Sequence, residues 1–219
     1  MSLVACFSQF YVFANTEASE CLILMVMSYD RYLAICNPLR YNSMINKGFC
    51  VKSVIVSWLL SFLLLFKNEF DAYKFDFCGP NVIDHFFCDL PPILELSCSD
   101  TSIYRIQVSL FGVIVVMFPF TMIIVSYVFI ITTILSIQSI SGRQKAFSTC
   151  SSHLTVVCIF FGSLFSVYMV PTNGELLAIS KALSLLYTVV TPLSNPFIYS
   201  LRNKDFRIAF QKLKQFLFI

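Results

Sequence analysis

The sequence has little charge and few of the residues that catalysis or metal binding requires. Charged residues make up 12% of the 219 positions and hydrophobic residues 58%, with 24 Phe but one Trp. A soluble fold cannot bury so much apolar surface, so lipid is the expected solvent. The net charge of +3 is too small to indicate a nucleic-acid partner. With six Gly and two His, the chain shows no phosphate-binding glycine loop, metal-ligand cluster or nucleophile–base pair, and we expect no enzymatic activity, cofactor or metal.

Other patterns are also missing. The segment from Met1 to Phe7 has no basic residue and no obvious cleavage site, which argues against a cleaved signal peptide. No internal repeat, low-complexity linker or alternating apolar–polar stretch is visible. Because only helices and closed barrels satisfy their backbone hydrogen bonds in lipid, the sequence predicts an all-α fold.

Five apolar stretches are long enough to cross a bilayer as helices. They cover residues 3–29, 49–66, 106–137, 154–170 and 182–201. A sixth stretch, residues 205–218, places apolar and basic side chains on opposite helical faces, which predicts a helix lying on the membrane surface. Together these segments predict a membrane helix bundle forming a single domain over residues 1–219.

The Lys and Arg residues indicate the orientation, because cytoplasmic loops carry an excess of both. Eleven of the 15 lie on the side of Arg31. The four on the opposite side are Lys67, Lys74, Arg105 and Lys181. We therefore expect the Arg31 side and the C-terminus to be cytoplasmic and the N-terminus to be outside.

Four of the nine cysteines are expected at the outer surface. Cys78, Cys88 and Cys98 lie in the longest segment between the spans, and Cys6 lies at the outer end of the first span. An oxidising surface favours two disulfides, for which the sequence alone allows three pairings. A zinc site that includes His85 is the alternative.

Three motifs lie at the cytoplasmic ends of the spans. The segment from Met27 reads MSYDRYLAICNPLRY, that from Lys145 reads KAFSTCSSHL, and that from Pro192 reads PLSNPFIYSLRN. An acid beside an arginine at the edge of a span is unfavourable unless the two are paired or functional. The Ser and Thr of the second motif are expected to satisfy free N–H groups at a helix start. A proline within a helix, as in the third, permits a kink.

In these motifs, their order and their spacing, the chain resembles the odorant receptors, which are rhodopsin-like G-protein-coupled receptors. The resemblance implies that the five spans correspond to helices 3–7 of a seven-helix bundle, and we expect the first two helices to be missing. It implies the disulfides Cys6–Cys88 and Cys78–Cys98. It also implies a multi-pass protein of the plasma membrane that binds small volatile odorants and activates a stimulatory heterotrimeric G protein, raising cyclic AMP.

The resemblance assigns one group of residues to a G-protein switch. These residues are Asp30, Arg31, Tyr32, Tyr127, Lys145, Asn195, Pro196 and Tyr199. Asp30 is expected to hold Arg31 at rest and to release it on activation. The alternative is that Arg31 only anchors the helix, with its side chain extended to the membrane interface.

The resemblance assigns a second group to an odorant pocket. These residues are Phe13, Ala14, Glu17, Ala18, Cys21, Phe111, Gly112, Val115, Phe161, Leu164, Phe165, Tyr168, Leu185 and Thr188. A pocket of this composition is mostly apolar, which suits small volatile molecules. Ordinary helix packing is the alternative for each of them.

Two other functions stay open. A membrane transporter could use Glu17 and Glu20 as a cation relay, and inverted repeats and broken helices would then be expected. A non-signalling receptor fragment, retained in the endoplasmic reticulum, is the other alternative.

Overall fold

The computed structural model of the chain describes residues 3–72, 74–78, 82–83, 87–170, 176–202, 206 and 208–209. Within these residues the chain is helical apart from short connections and an isolated antiparallel bridge between Phe77 and Ser97. The predicted all-α class is confirmed. Most of the predicted surface helix, residues 205–218, lies outside the described residues.

The described helices include five that are long and apolar enough to cross a membrane, which confirms the predicted membrane helix bundle. In chain order the helices are α1 (Leu3–Cys36), α2 (Pro38–Met44), α3 (Lys47–Ala72), α4 (Leu90–Glu95), α5 (Ser102–Gly112), α6 (Phe118–Ser136), α7 (Ile140–Met169), α8 (Leu177–Leu185) and α9 (Thr191–Arg202). Two π-helical turns, Val113–Met117 and Leu186–Val190, join α5 to α6 and α8 to α9. The five candidate spans are α1, α3, α5–α6, α7 and α8–α9.

Helix α7 begins well before residues 154–170, the apolar stretch from which the sequence predicts this span. Its first residue is Ile140, and the Ser139 hydroxyl accepts the Gly142 N–H at 3.1 Å as an N-cap. The expectation that the Ser and Thr of the KAFSTCSSHL motif satisfy a helix start is therefore wrong. The Thr149 hydroxyl instead donates to the Lys145 carbonyl at 2.9 Å, one turn back within the helix. Hydropathy locates the apolar part of a helix, whereas backbone hydrogen bonding continues into its polar end.

Short polar side chains accept backbone N–H groups at the starts of two further helices. The Asn46 side-chain oxygen accepts the Phe49 N–H at 2.9 Å at the start of α3. Just before α5, the Asp100 carboxylate accepts the Ser102 N–H at 2.9 Å. The hydrogen bonds from Ser102 hold the pKa of Asp100 below its ordinary value, so this hydrogen bond persists at neutral pH and is lost as the pH falls through that lowered pKa.

The chain divides into two compact units, Met1–Ile137 and Gln138–Ile219. In the first unit, α1 packs against both α3 and α6. In the second, α7 packs against α8, the second π-helical turn and α9. Helix α1 is therefore the shared element of the first unit and α7 that of the second.

Helix α3 shows the two faces expected of a helix between protein and lipid. Its buried residues, at steps of four or three, are Ser57, Ser61, Leu65, Asn68 and Ala72. This spacing places them on one face. The opposite surface exposes apolar side chains such as Leu63, which is 71% exposed. Small residues on the packed face let helices approach closely in a membrane.

A compact hydrophobic group joins the end of α3, the start of α1, α4 and α5. This cap cluster consists of Cys6, Phe7, Ala72, Cys88, Leu90, Ile93, Leu94 and Tyr104, all buried. The Tyr104 hydroxyl donates to the Asn68 carbonyl at 3.1 Å, and the Gln107 amide donates to the Asn68 side chain at 2.6 Å. The cap cluster thus fixes the segment between α3 and α5 against the helix ends.

The two disulfides in the structure follow the pairing that the resemblance implies. Cys6 is bonded to Cys88 with 5.4 Å between the Cα atoms, and Cys78 to Cys98 with 5.8 Å. The first bond ties α1 to the segment before α4 and lies within the cap cluster. The second closes the shorter loop between α3 and α5.

Peptide mapping of the non-reduced protein is expected to find both linkages. Replacing Cys88 with Ser should lower the stability by about 2–4 kcal/mol, because it opens the long loop that starts at Cys6. A thermal melt followed by circular dichroism measures the loss. Cys50→Ser, which removes an exposed free thiol, is the matched control and should change nothing. Free thiols at Cys78 and Cys88 in the mapped protein would contradict both pairings.

Candidate functional site

The acid–arginine pair of the first motif is formed in the structure. The Arg31 Nε lies 3.1 Å from one oxygen of the Asp30 carboxylate, near the end of α1. The side chains are 33% and 19% exposed, so water reaches both. An ion pair with this exposure contributes about 0–1 kcal/mol, which is small enough for another acceptor to displace it. The ion pair between Asp30 and Arg31 can therefore break and form again.

Tyr41 completes this site, although sequence reasoning did not single it out. Its hydroxyl donates to the second oxygen of Asp30 at 3.0 Å. Burial and this hydrogen bond raise the pKa of the Tyr41 phenol above its ordinary value. The phenol therefore keeps its proton at neutral pH, and the bond is lost only as the pH rises through that raised pKa. Tyr41 is the last residue of the first motif, and nothing in its spacing from Asp30 indicates contact.

The two bonds to Asp30 connect α1 with α2. Proline at position 38 starts α2 directly after the break at Asn37, so the chain changes direction between Asp30 and Tyr41. Each carboxylate oxygen then has one partner, Arg31 or Tyr41. A hydrogen bond to a charged group is stronger than one between neutral groups. The position of α2 and the pairing of Arg31 are thus linked through one carboxylate.

Two more of the predicted switch residues lie where α1 packs against α6. The Tyr32 ring meets the Phe129 ring edge-on with 6.1 Å between centroids. Tyr127 is 5% exposed on α6. Nearby, the Cys36 sulfur lies 3.2 Å from the Thr133 hydroxyl. These contacts hold the end of α1 beside α6.

The remaining switch residues belong to the second unit. Lys145 is exposed near the start of α7. Asn195 and Tyr199 are half-buried on α9, and Pro196 lies within that helix and is exposed. Asn195 and Tyr199 are one turn apart and so share a helical face. The switch role of all these residues stays a prediction.

The structure brings together four of the predicted pocket residues of the first unit. Ala18 and Val115 are buried against Leu65, and Ala14 and Phe111 pack on them. These side chains come from α1, α3, α5 and the first π-helical turn. Cys21 is 1% exposed and has a free thiol. This cluster is the apolar part of the candidate pocket.

Gly112 lies between Phe111 and the first π-helical turn. A Cβ atom added to Gly112 would meet nothing within 4 Å. The residue is nevertheless half-buried. A small side chain at position 112 would therefore meet open space.

The segment around Cys88 reaches the same part of α1. The Phe87 ring meets the Phe13 ring edge-on with 4.6 Å between centroids, and the Cys88 N–H donates to the Gln9 side chain at 3.4 Å. Glu17, one turn along α1 from Phe13, is half-buried. Glu20 follows three residues later on the same helix. The candidate pocket therefore combines aromatic rings with a carboxyl side chain.

The predicted pocket residues of the second unit differ in exposure. Phe161 and Leu164 are buried on α7, and the Phe161 ring lies 6.1 Å from that of Phe165. Tyr168 is 58% exposed and Leu185 is 42% exposed. The hydroxyl of Thr188 donates to a carbonyl of its own helix. Their role as ligand contacts stays a prediction.

A family model described as olfactory receptor matches residues 1–215. Human olfactory receptor 11L1 is 47% identical to this chain over 213 residues, which is 97% of the chain and 66% of that protein. Human olfactory receptor 13A1 is 46% identical over 99% of the chain and 66% of its own length. Mouse olfactory receptor 5G25 is 45% identical over 95% of the chain and 66% of its own length. The chain spans about two thirds of the length of these curated relatives.

Removing the Tyr41 hydroxyl tests its link to Asp30. We expect Tyr41→Phe to speed tryptic cleavage after Arg40 by about threefold to tenfold, because α2 loses a hydrogen bond to a partly exposed charge. Cleavage is followed by mass spectrometry in lipid nanodiscs. Asp30→Ala should give the same increase without altering the cleavage site, and the double variant should add nothing further.

Tyr29→Phe is the matched control, since Tyr29 lies on α1 and its ring stacks on Tyr32. It should leave cleavage unchanged. Equal cleavage of the parent chain and Tyr41→Phe would show that the hydroxyl does not hold α2.

Proposed function

The chain belongs to the olfactory receptor family, and from this premise we propose that it is an odorant receptor of the plasma membrane. It binds small volatile molecules and activates a stimulatory heterotrimeric G protein, which raises cyclic AMP. The five apolar helices and the family make it a multi-pass membrane protein.

The arrangement of Asp30, Arg31 and Tyr41 is the observation that carries the signalling proposal. Arg31 stands at the polar end of an apolar helix, held by a carboxylate that is also bonded to α2. Because the pair is partly exposed, its net contribution is small. An acceptor on a bound protein can therefore replace Asp30 as the partner of Arg31. Release of Arg31 is the proposed step by which the receptor engages the G protein.

The candidate pocket of the first unit supports recognition of small, mainly apolar molecules. Ala14, Ala18, Phe111 and Val115 supply apolar surface, and Phe13 with Phe87 supplies aromatic rings. Such surfaces bind through burial of apolar area, with a few polar groups fixing the orientation. Glu17 is the polar group proposed for that task, towards a hydroxyl or an amine of the odorant.

Replacing Arg31 with Ala tests the signalling step. In cells that supply the stimulatory G protein, we expect the cyclic AMP response to a panel of volatile alcohols, aldehydes, ketones and esters to fall by about tenfold or more, because a charged hydrogen-bond donor is lost. Antibody labelling of an epitope tag must show equal surface expression. Arg40→Ala removes an exposed positive charge from α2 and should preserve most of the response. A normal response of Arg31→Ala would leave Arg31 as a membrane anchor.

Replacing Gly112 with Ala tests the pocket without removing a packed side chain. The added methyl group enters open space, so the protein should fold, and its helix should be stabilised by about 0.5–1 kcal/mol. We expect the potency order of the odorant panel to change, because the space beside Phe111 is smaller. Gly162→Ala, on α7, also meets open space and should leave the order unchanged. Identical orders in both variants would remove Gly112 from the pocket.

A further inference from the structure

The last span changes its hydrogen-bonding pattern just before the segment that carries Asn195 and Tyr199. Between α8 and α9 lies the second π-helical turn, Leu186–Val190, whose hydrogen bonds span five residues instead of the four of an α-helix. The Thr191 N–H accordingly donates to the Leu186 carbonyl, five residues back. Position 192 is a proline, which has no N–H to continue the α-helical pattern. The span is therefore able to bend at this point.

Side-chain hydroxyls weaken the backbone pattern of this stretch further. The Thr188 hydroxyl donates to the Ser184 carbonyl at 2.7 Å, and the Ser194 hydroxyl donates to the Thr191 carbonyl at 2.7 Å. Hydroxyls that bond to carbonyls of their own helix tend to bend it. A turn with so many altered bonds needs another contact to hold a single geometry.

Thr191 supplies that contact. It is 1% exposed, and its hydroxyl oxygen lies 3.1 Å from the Leu186 carbonyl and 3.1 Å from the Ser163 hydroxyl on α7. Ser163 is 5% exposed and places its own hydroxyl 2.9 Å from the Phe160 carbonyl. Since each hydroxyl has one proton, Ser163 donates to Phe160 and accepts from Thr191. The Thr191 proton is thus shared between the π-helical turn and α7.

We propose that Thr191 and Ser163 are a positioning pair, in which the shared Thr191 hydroxyl holds the π-helical turn against α7 and so sets the direction of α9. Because Thr191 is almost fully buried, no water molecule can replace Ser163 as its hydrogen-bond partner. If the bond to Ser163 is lost, the Thr191 hydroxyl donates only to the Leu186 carbonyl, and the π-helical turn is no longer fixed to α7. Asn195 and Tyr199, which follow on α9, then change position relative to α7.

The pair bears on the proposed receptor function only through Asn195 and Tyr199, and its structural consequence is measurable without odorant or G protein. The full chain is placed in phosphatidylcholine nanodiscs, and amide hydrogen exchange is followed in the peptides that cover residues 186–199. Exchange reports the local opening of the backbone. Ser163→Ala and Thr191→Val each remove one partner with little change in volume.

We expect each variant to speed exchange in residues 186–199 by about threefold. This is the change in rate expected when one typical hydrogen bond between membrane helices is lost. The double variant should be no faster than the faster single variant, because both remove the same bond. Thr191→Ser keeps the hydroxyl and should restore the parent rate. Ser166→Ala is the control on α7, because the Ser166 hydroxyl bonds to Gly162 of its own helix, and it should leave exchange unchanged.

Parent-like exchange in Ser163→Ala would overturn the proposal, and so would an additive double variant. Should Thr191→Val fail to fold, Ser163→Ala and Thr191→Ser decide the question between them. A faster exchange in a chain that gives no cyclic AMP response would support the positioning pair and count against the proposed function. Parent-like exchange in a chain with a normal cyclic AMP response would overturn the positioning pair and support the proposed function.

Discussion

In lipid the backbone polar groups of each span have to find their hydrogen bonds within the protein, and this requirement shapes the helices and the places where they are interrupted. It makes each span a helix, and it also directs the side chains. The hydroxyls of Ser57 and Ser61 donate to carbonyls one turn back on α3, and that of Ser126 does so on α6. Where the backbone pattern is interrupted, as at the second π-helical turn, Thr191 takes over part of the bonding.

Helix α1 connects the two ends of the first unit. Cys6, at one end, is tied by its disulfide into the cap cluster, and Arg31 lies near the other end. About 37 Å of helix separates these two residues. Along this length α1 packs against α3 and α6, so that the candidate pocket near Phe13 and the Asp30–Arg31 pair share one continuous element.

The Asp30 site and the Thr191 pair follow the same physical logic in the two units. In each, one polar side chain forms a hydrogen bond between two helices. A proline lies at the start of one of the two helices, at position 38 or 192. Each interaction is a single hydrogen bond or a partly exposed ion pair, worth little beside the apolar packing around it. Contacts of this strength define one geometry and still allow another, which is what the proposed receptor function requires.

Local patterns in the sequence were sufficient for the spans and for the acid–arginine pair, because hydropathy and neighbouring charges act over a few residues. The resemblance supplied the cysteine pairing, which spacing alone left open. Hydropathy missed the first turns of α7, since a helix continues beyond its apolar part. Tertiary structure alone decided the bonds of Tyr41 to Asp30 and of Thr191 to Ser163. These depend on how helices pack and where the chain turns, and a pattern along one helix contains no information about the side chain that another helix brings against it.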